Sequence, residues 1–335
     1  MKAASPGLVA GICALALGAF AMGASVLFVR QADVGPFASA FWRVALALPV
    51  LAAWAALTPR PATTARFRLD RMSVISGLFF AGDLICWHLA ILGTSVANAT
   101  VLATTSPVWV TLFAVLALGE PPRRAVWLGL GLCLAGALVL VGQSARFDPH
   151  HLPGDTAGLV TAMFFAGYFL AVRRARLSRG AATIMLISTA TTTVVLGGVA
   201  LALEPRLLPA SAAGLAALVA LALVSQVAGQ GLMAIGLAAV PPVFGALVFF
   251  LEVVSAALLG WLFLSEPLSA LQVLGGGVIL LGLMVARPRA AHRKARHHDA
   301  RDHDTPDQDG ATCLAPAPIT SDKTPSPPDT RIGRH

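Results

Sequence analysis

Apolar stretches of about twenty residues recur along the whole chain, separated by short links that carry Arg, Pro or Asp. A helix of that length spans the hydrocarbon core of a bilayer. Ten such windows are read: 7–29, 37–57, 72–92, 97–117, 124–142, 154–172, 182–203, 212–236, 242–264 and 268–286. Lipid offers backbone groups no partners, and the alternation expected of barrel strands is absent, so the spans are helices. Only 12% of residues are charged, about half the roughly 25% of a soluble domain. A disordered chain is excluded by the abundance of Leu, Val and Phe. The net charge of +8 does not point to nucleic acid, because the basic residues sit in links and a tail. Cys13, Cys86, Cys133 and Cys313 are scattered, with neither a disulfide framework nor a zinc spacing; no metal and no cofactor are expected.

Lys and Arg set the direction of threading. With the N-terminus in the cytoplasm, Lys2, Arg60, Arg66, Arg68, Arg71, Arg123, Arg124, Arg173, Arg174, Arg176 and Arg179 fall inside, against Arg30, Arg146 and Arg206 outside. Both termini are therefore expected in the cytoplasm. Ala19-Phe20-Ala21 loosely resembles a signal cleavage site, but the apolar stretch around it is longer than a signal core. Residues 287–335 lose the apolar pattern and are expected to be a disordered, basic tail. Its histidines, His292, His297, His298 and His303, read as solvated, with metal sensing as the lesser alternative.

An internal repeat runs through the chain at an offset of 146 residues. Leu118, Glu120, Pro121, Leu128, Gly129, Gly131 and Gly136 fall on Leu264, Glu266, Pro267, Leu274, Gly275, Gly277 and Gly282. A weaker match near offset 144 sets Gly23 on Gly167 and Arg30 on Arg174. Five spans per repeat is an odd number, so the second copy enters the membrane upside down, the plan of carriers whose site lies between the halves. The expected organisation is a first five-helix repeat over 1–142, a linker at 143–153, a second repeat over 154–286 and the tail at 287–335. The fold class is an all-α polytopic membrane protein of ten transmembrane helices in two inverted five-helix repeats.

The two Glu-Pro-then-Gly segments, Phe41-Trp42-Arg43, Trp87-His88-Leu89-Ala90-Ile91 leading to Thr94-Ser95-Val96-Ala97-Asn98-Ala99, and Ser106-Pro107 together resemble the EamA-type, ten-helix branch of the drug/metabolite transporter superfamily. The resemblance covers residues 7–286. It implies an inner-membrane carrier of a small organic molecule, often an exporter of amino acids or metabolites. One departure is Leu251-Glu252-Val253, where the pattern usually has a proline; span 9 is thus expected to be less kinked than span 4.

Ionisable residues inside spans cost about 2.5–3.5 kcal/mol each on the insertion scale and should face a cavity or a partner. Arg43, Asp83 and Glu252 meet that description. Arg43 either binds a substrate carboxylate through its forked guanidinium, or snorkels toward the outer interface, or forms a fixed ion pair that holds spans together. Asp83 and Glu252 either relay protons or only neutralise Arg43. Trp87 follows Asp83 by one turn; His88 is a relay partner or, as the preferred reading, a packed and hydrogen-bonded ring. Asn98, Thr104, Thr105 and Ser106 crowd span 4, and Gln226 and Gln230 share a face of span 8, lining a path or bonding between helices. Trp42, Trp109, Trp261 and Tyr168 read as cavity walls or interface anchors. Glu120 with Pro121, and Glu266 with Pro267, stand where helices start and read as caps that favour the positive helix end. The glycines of spans 5 and 10 allow close packing, with a homodimer contact as an alternative.

The leading function is a secondary carrier, directed outward, for a metabolite such as an amino acid or related compound. Its partners are the bilayer, the small-molecule substrate and protons. A broad-selectivity drug efflux carrier is the alternative. The ATP-binding pattern Gly-x-x-x-x-Gly-Lys-Ser/Thr and the zinc-protease pattern His-Glu-x-x-His are both missing, so an ATP-driven pump or an intramembrane enzyme is disfavoured.

Overall fold

A computed structural model describes residues 7–58, 70–118, 122–142 and 149–288. Glu120, Pro121, Arg60, Arg66, Arg68 and Arg146, residues 143–148 of the linker and nearly all of the tail lie outside the described residues. The helical segments are α1 (Leu8–Val29), α2 (Pro36–Leu57), α3 (Arg71–Gly93), α4 (Val96–Leu116), α5 (Arg124–Val141), α6 (Leu152–Ala175), α7 (Ala181–Leu203), α8 (Ala212–Gly236), α9 (Pro242–Leu264) and α10 (Ala270–Ala286). Among the described residues, the first nine are long and apolar enough to cross a bilayer, and α10 is a shorter apolar helix. The ten expected spans coincide with these helices to within a few residues. Side chains such as Val9, Leu57, Leu116 and Val194 are largely exposed, as a lipid-facing belt requires.

The inversion of the repeats is visible where α5 meets α10. A Cβ on Gly129 would lie 2.6 Å from the Gly282 carbonyl oxygen, and one on Gly282 would lie 2.8 Å from that of Gly129. Gly136 and Gly275 are reciprocal in the same way, at 2.6 and 2.7 Å. Gly129 and Gly275 are repeat equivalents, as are Gly136 and Gly282. Each glycine therefore meets the equivalent of the other, as two copies do across a two-fold axis. Cys133, whose thiol faces the Ile279 carbonyl at 3.6 Å, is itself 146 residues from Ile279, so the axis passes beside this pair. In lipid such a seam relies on van der Waals contact and close backbone approach. Gly11 with Gly236, and Gly18 with Gly229, bring α1 against α8 by the same device.

Several helices are interrupted near their middles. α1 breaks at Ala24, α2 at Leu46 and Ala47, α4 at Thr104 and Thr105, and α9 at Phe249. α9 breaks at the single residue Phe249 although the usual proline is missing, against two residues in α4. Phe249 N–H bonds to Ala246 and Glu252 N–H bonds to Phe249, at 3.2 and 2.9 Å, a tight turn made without proline. The second half of α9 starts at Phe250 and carries Glu252 in its first turn, where the helix dipole favours a carboxylate. In α8, Leu221–Gln230 is wound as a π-helix, a rare form found mostly as short bulges and frequently at functional sites.

The helix-start reading of Glu266 and Pro267 is corrected. α10 starts at Ala270 and is capped by Ser269, which exchanges hydrogen bonds with Gln272 in a capping box. Glu266 lies in the preceding link, after Ser265, whose φ of 56° is left-handed. From there its carboxylate reaches Arg30 instead.

Candidate functional site

A cavity of about 670 Å³ occupies one half of the bundle, lined by described residues from the middle of the helices to one end. Its mouth is framed by Val26 at the end of α1, Val96 at the start of α4, Val141 at the end of α5, and Glu266 and Gln272 around the start of α10. All of these belong to the end of the bundle opposite the start of α1. The Arg30 guanidinium pairs with Glu266 across this rim at 2.5 Å, with both side chains about half exposed. Nearby, the Trp42 indole donates to the Leu207 carbonyl at 2.6 Å, and Glu204 accepts from the N–H of Phe37 at the start of α2 at 3.0 Å. Asp33, in the link after α1, accepts from Ser211 before α8, which holds its carboxyl below the usual carboxylate range.

The opposite end is tied shut. Arg173, at the end of α6, donates to the carbonyls of Leu237 and Val240 between α8 and α9. Arg176 donates to Ala234 and Arg179 carbonyls, both at 2.8 Å, and burial lowers the pKa of its guanidinium. These arginines, read from sequence as topological signals, also satisfy the carbonyls left over where α8 ends.

Arg43, Asp83 and Glu252 come together in the deep part of the cavity, delivered by α2, α3 and α9. Among the described residues no ion pair joins Arg43 to either carboxylate. The fixed-pair reading of Arg43 therefore has no support in this structure. Its guanidinium carbon lies 5.7 Å from the Phe80 ring centroid, within cation–π range, and its Nε is buried without a partner. A guanidinium and two carboxyl groups therefore line the same cavity without a direct ion pair among the described residues.

α1 approaches α9 closely enough here that a Cβ on Gly23 would lie 2.6 Å from the Glu252 carbonyl oxygen. Ser255 donates to that same carbonyl at 2.9 Å. Both contacts set the depth at which Glu252 sits. The floor is aromatic: Phe80, Phe165, Phe249 and Phe250 line it. Behind them Tyr168 stacks on Phe80 with centroids 4.8 Å apart, and Phe169 meets Phe249 edge-on at 5.8 Å.

The remaining candidates divide. Trp87 lines the cavity, as do Thr104, Ser106 and Pro107 beside the break in α4. His88 does not: its Nδ1 lies 2.6 Å from the Leu84 carbonyl and its ring packs on Phe37. Asn98 donates to Thr94 and to Asp155 of α6, both at 3.3 Å. Thr105 bonds back to the Leu102 carbonyl of its own helix at 2.6 Å. Gln226 donates to Thr189 at 3.1 Å and Gln230 accepts from Tyr168 at 2.9 Å, both behind the floor. Trp261 is exposed on the outside of the bundle, and Trp109 packs against Phe113. The floor phenylalanines and Ser225 escaped the sequence reading. Ser255, one turn beyond Glu252, donates to the Phe20 carbonyl at 3.4 Å and positions α9 against α1.

The EamA-like transporter family model matches residues 9–142 and again 152–287. The pseudopaline exporter CntI of Pseudomonas aeruginosa is 30% identical over 210 residues, 63% of this chain and 72% of that one. The uncharacterized transporter YwfM of Bacillus subtilis is 30% identical over 213 residues, 60% and 68% of the two chains. A solved crystal structure superposes with a TM-score of 0.70 at 23% identity, over 83% of this chain and 95% of that chain, a likeness of fold. Two matches of one family model, covering the two halves of a polytopic helical bundle, lead to one conclusion: the chain belongs to the EamA-like transporter family of the drug/metabolite transporter superfamily.

Proposed function

We propose that this protein is a secondary carrier in the bacterial inner membrane that exports a small amphoteric metabolite, such as an amino acid or related compound, by alternating access. The observation that carries the reading is the cavity in one half of the bundle, lined by Arg43, Asp83 and Glu252 with no ion pair among them in the described residues. Arg43 holds the cargo carboxylate in a bidentate grip, while Asp83 and Glu252 receive its amine or exchange protons for it. With both termini in the cytoplasm, the cavity is open to the outside and the arginine-tied end is the closed inner gate. Inverted repeats supply the second state by exchanging the conformations of the two halves. The Pseudomonas relative is an exporter of pseudopaline, which supports the outward direction and a small-molecule cargo.

The test compares metabolites inside and outside cells that lack or overproduce the protein, followed by counterflow of the enriched compound in proteoliposomes. A compound that accumulates outside on overproduction and exchanges in vesicles supports the reading. Unchanged profiles, with the protein present in the membrane, count against it. Asp83→Asn and Glu252→Gln separate proton coupling from simple binding, because loss of coupling removes pH-driven flux and leaves exchange in place.

A further inference from the structure

Behind the aromatic floor lies a second polar cluster that the open cavity does not reach. Ser225, Gln226 and Gln230 of α8 are buried to at least 98%. The Ser225 hydroxyl, Gln226 Oε1 and Gln230 Nε2 have no hydrogen-bond partner among the described residues. A bundle core seldom leaves one such group unpaired; three stand within six residues. They share the π-helical segment Leu221–Gln230, in which positions five apart, such as Ser225 and Gln230, stack on one face. The cluster is joined to the floor through the bond from the Tyr168 hydroxyl to Gln230, and Tyr168 stacks on Phe80 of the cavity wall. Thr189 of α7 completes its known partners. No formally charged side chain is among them.

We propose that Ser225, Gln226 and Gln230 form a second, neutral hydrogen-bonding subsite of the transport path, on the cytoplasmic side of the aromatic floor, which receives the hydroxyl or amide groups of the cargo and its water when the floor parts. The inference rests on the carrier reading above. The unpaired donor and acceptor atoms match a ligand that offers both an acceptor and a donor, and the absence of formal charge distinguishes this subsite from the Arg43 end. Opening of the inner half gives these groups partners that they lack when it is closed, so their burial biases the molecule toward that opening.

Thiol accessibility in the full-length protein tests this. Cys13, Cys86, Cys133 and Cys313 are replaced, and Ser225→Cys is introduced alone and reconstituted in vesicles of known sidedness. A membrane-impermeant maleimide is then added to one face at a time. Leu177→Cys, in the exposed link after α6, reports the N-terminal face; Trp87→Cys reports the cavity; lipid-facing Val194→Cys is the unreactive control. Modification of Ser225→Cys from the N-terminal face only, with Trp87→Cys reacting from the other, is the expected result. Silence of Ser225→Cys from both faces, while Leu177→Cys and Trp87→Cys react, overturns the subsite and leaves the carrier reading standing. Reaction of Ser225→Cys and Trp87→Cys from the same face overturns the subsite as placed and alternating access with it. Gln230→Leu adds a second measurement: counterflow of the identified cargo falls about tenfold through loss of hydrogen bonds, while Trp87→Cys labelling is unchanged. Unchanged counterflow in Gln230→Leu overturns the assignment of Gln230.

Discussion

Adding one methyl group at Gly136 and at Gly131 should have opposite consequences, although the two lie on the same helix five residues apart. The Cβ of alanine at 136 would sit 2.6 Å from the Gly275 carbonyl oxygen and 2.8 Å from the Ile279 amide nitrogen. Ordinary van der Waals contact begins near 3.4 Å, so the seam must open by about 0.8 Å against backbone atoms that cannot rotate away. Overpacking of this kind costs about 1–3 kcal/mol. At about 2–4 °C per kcal/mol, the figure for 150–250 residues and an upper bound for this longer chain, the melting temperature falls by up to about 12 °C. At Gly131 nothing lies within 4 Å of the added atom. Alanine there should raise stability by up to about 1 kcal/mol through helix propensity. The repeat extends the test, because Gly275→Ala should behave like Gly136→Ala, and Gly277→Ala, also in open space, like Gly131→Ala. The assay is size-exclusion recovery after heating in detergent. Equal melting of Gly131→Ala and Gly136→Ala would refute the close α5–α10 seam and the two-fold relation drawn from it.

Arg43→Gln removes a charge-assisted bond to a cargo carboxylate, worth about 1.5–3 kcal/mol, and should weaken binding by roughly 10- to 150-fold with normal recovery from detergent; isothermal titration with the identified cargo measures it. Arg30→Ala removes a rim pair that is half exposed and worth about 0.2–1 kcal/mol. Its effect on counterflow should stay within about fivefold and shrink at high salt, and a complete loss of flux would show that the pair does more than trim the rim. Asp33 has its carboxyl held below its ordinary value of 3.8 by Ser211. Its small stabilising contribution is therefore present above that value and fades as pH falls through the depressed one. Ser211→Ala also removes the cap on Gly214 N–H and should melt lower at every pH, but its deficit should shrink as pH falls through the depressed value; a deficit that stays constant across that range counts against the bond to Asp33.

The helices were legible because hydrocarbon thickness imposes a length on every span and leaves apolar runs that composition alone reveals. Arg43, Asp83 and Glu252 were legible for the complementary reason, that a charge in lipid is costly enough to need a purpose. Polar but uncharged residues carried no such signal. Thr104 and Ser106 face the cavity while Thr105 between them bonds its own backbone, and hydropathy treats the three alike. The π-helical winding of α8 shifts the rotational phase of Gln226 and Gln230, a change that a regular helical period does not describe.

Ten spans, an odd number per repeat and the matched Glu-Pro-Gly segments follow from the amino-acid sequence alone, since each is a local property of composition or register. Tertiary structure decided the rest. Which end of the bundle is open, which carboxylates stand clear of Arg43, and that Glu266 pairs with Arg30 instead of capping its helix depend on how breaks within helices turn side chains toward one another. Those turns are chosen by contacts between residues as many as 236 positions apart, and no window of sequence contains both partners.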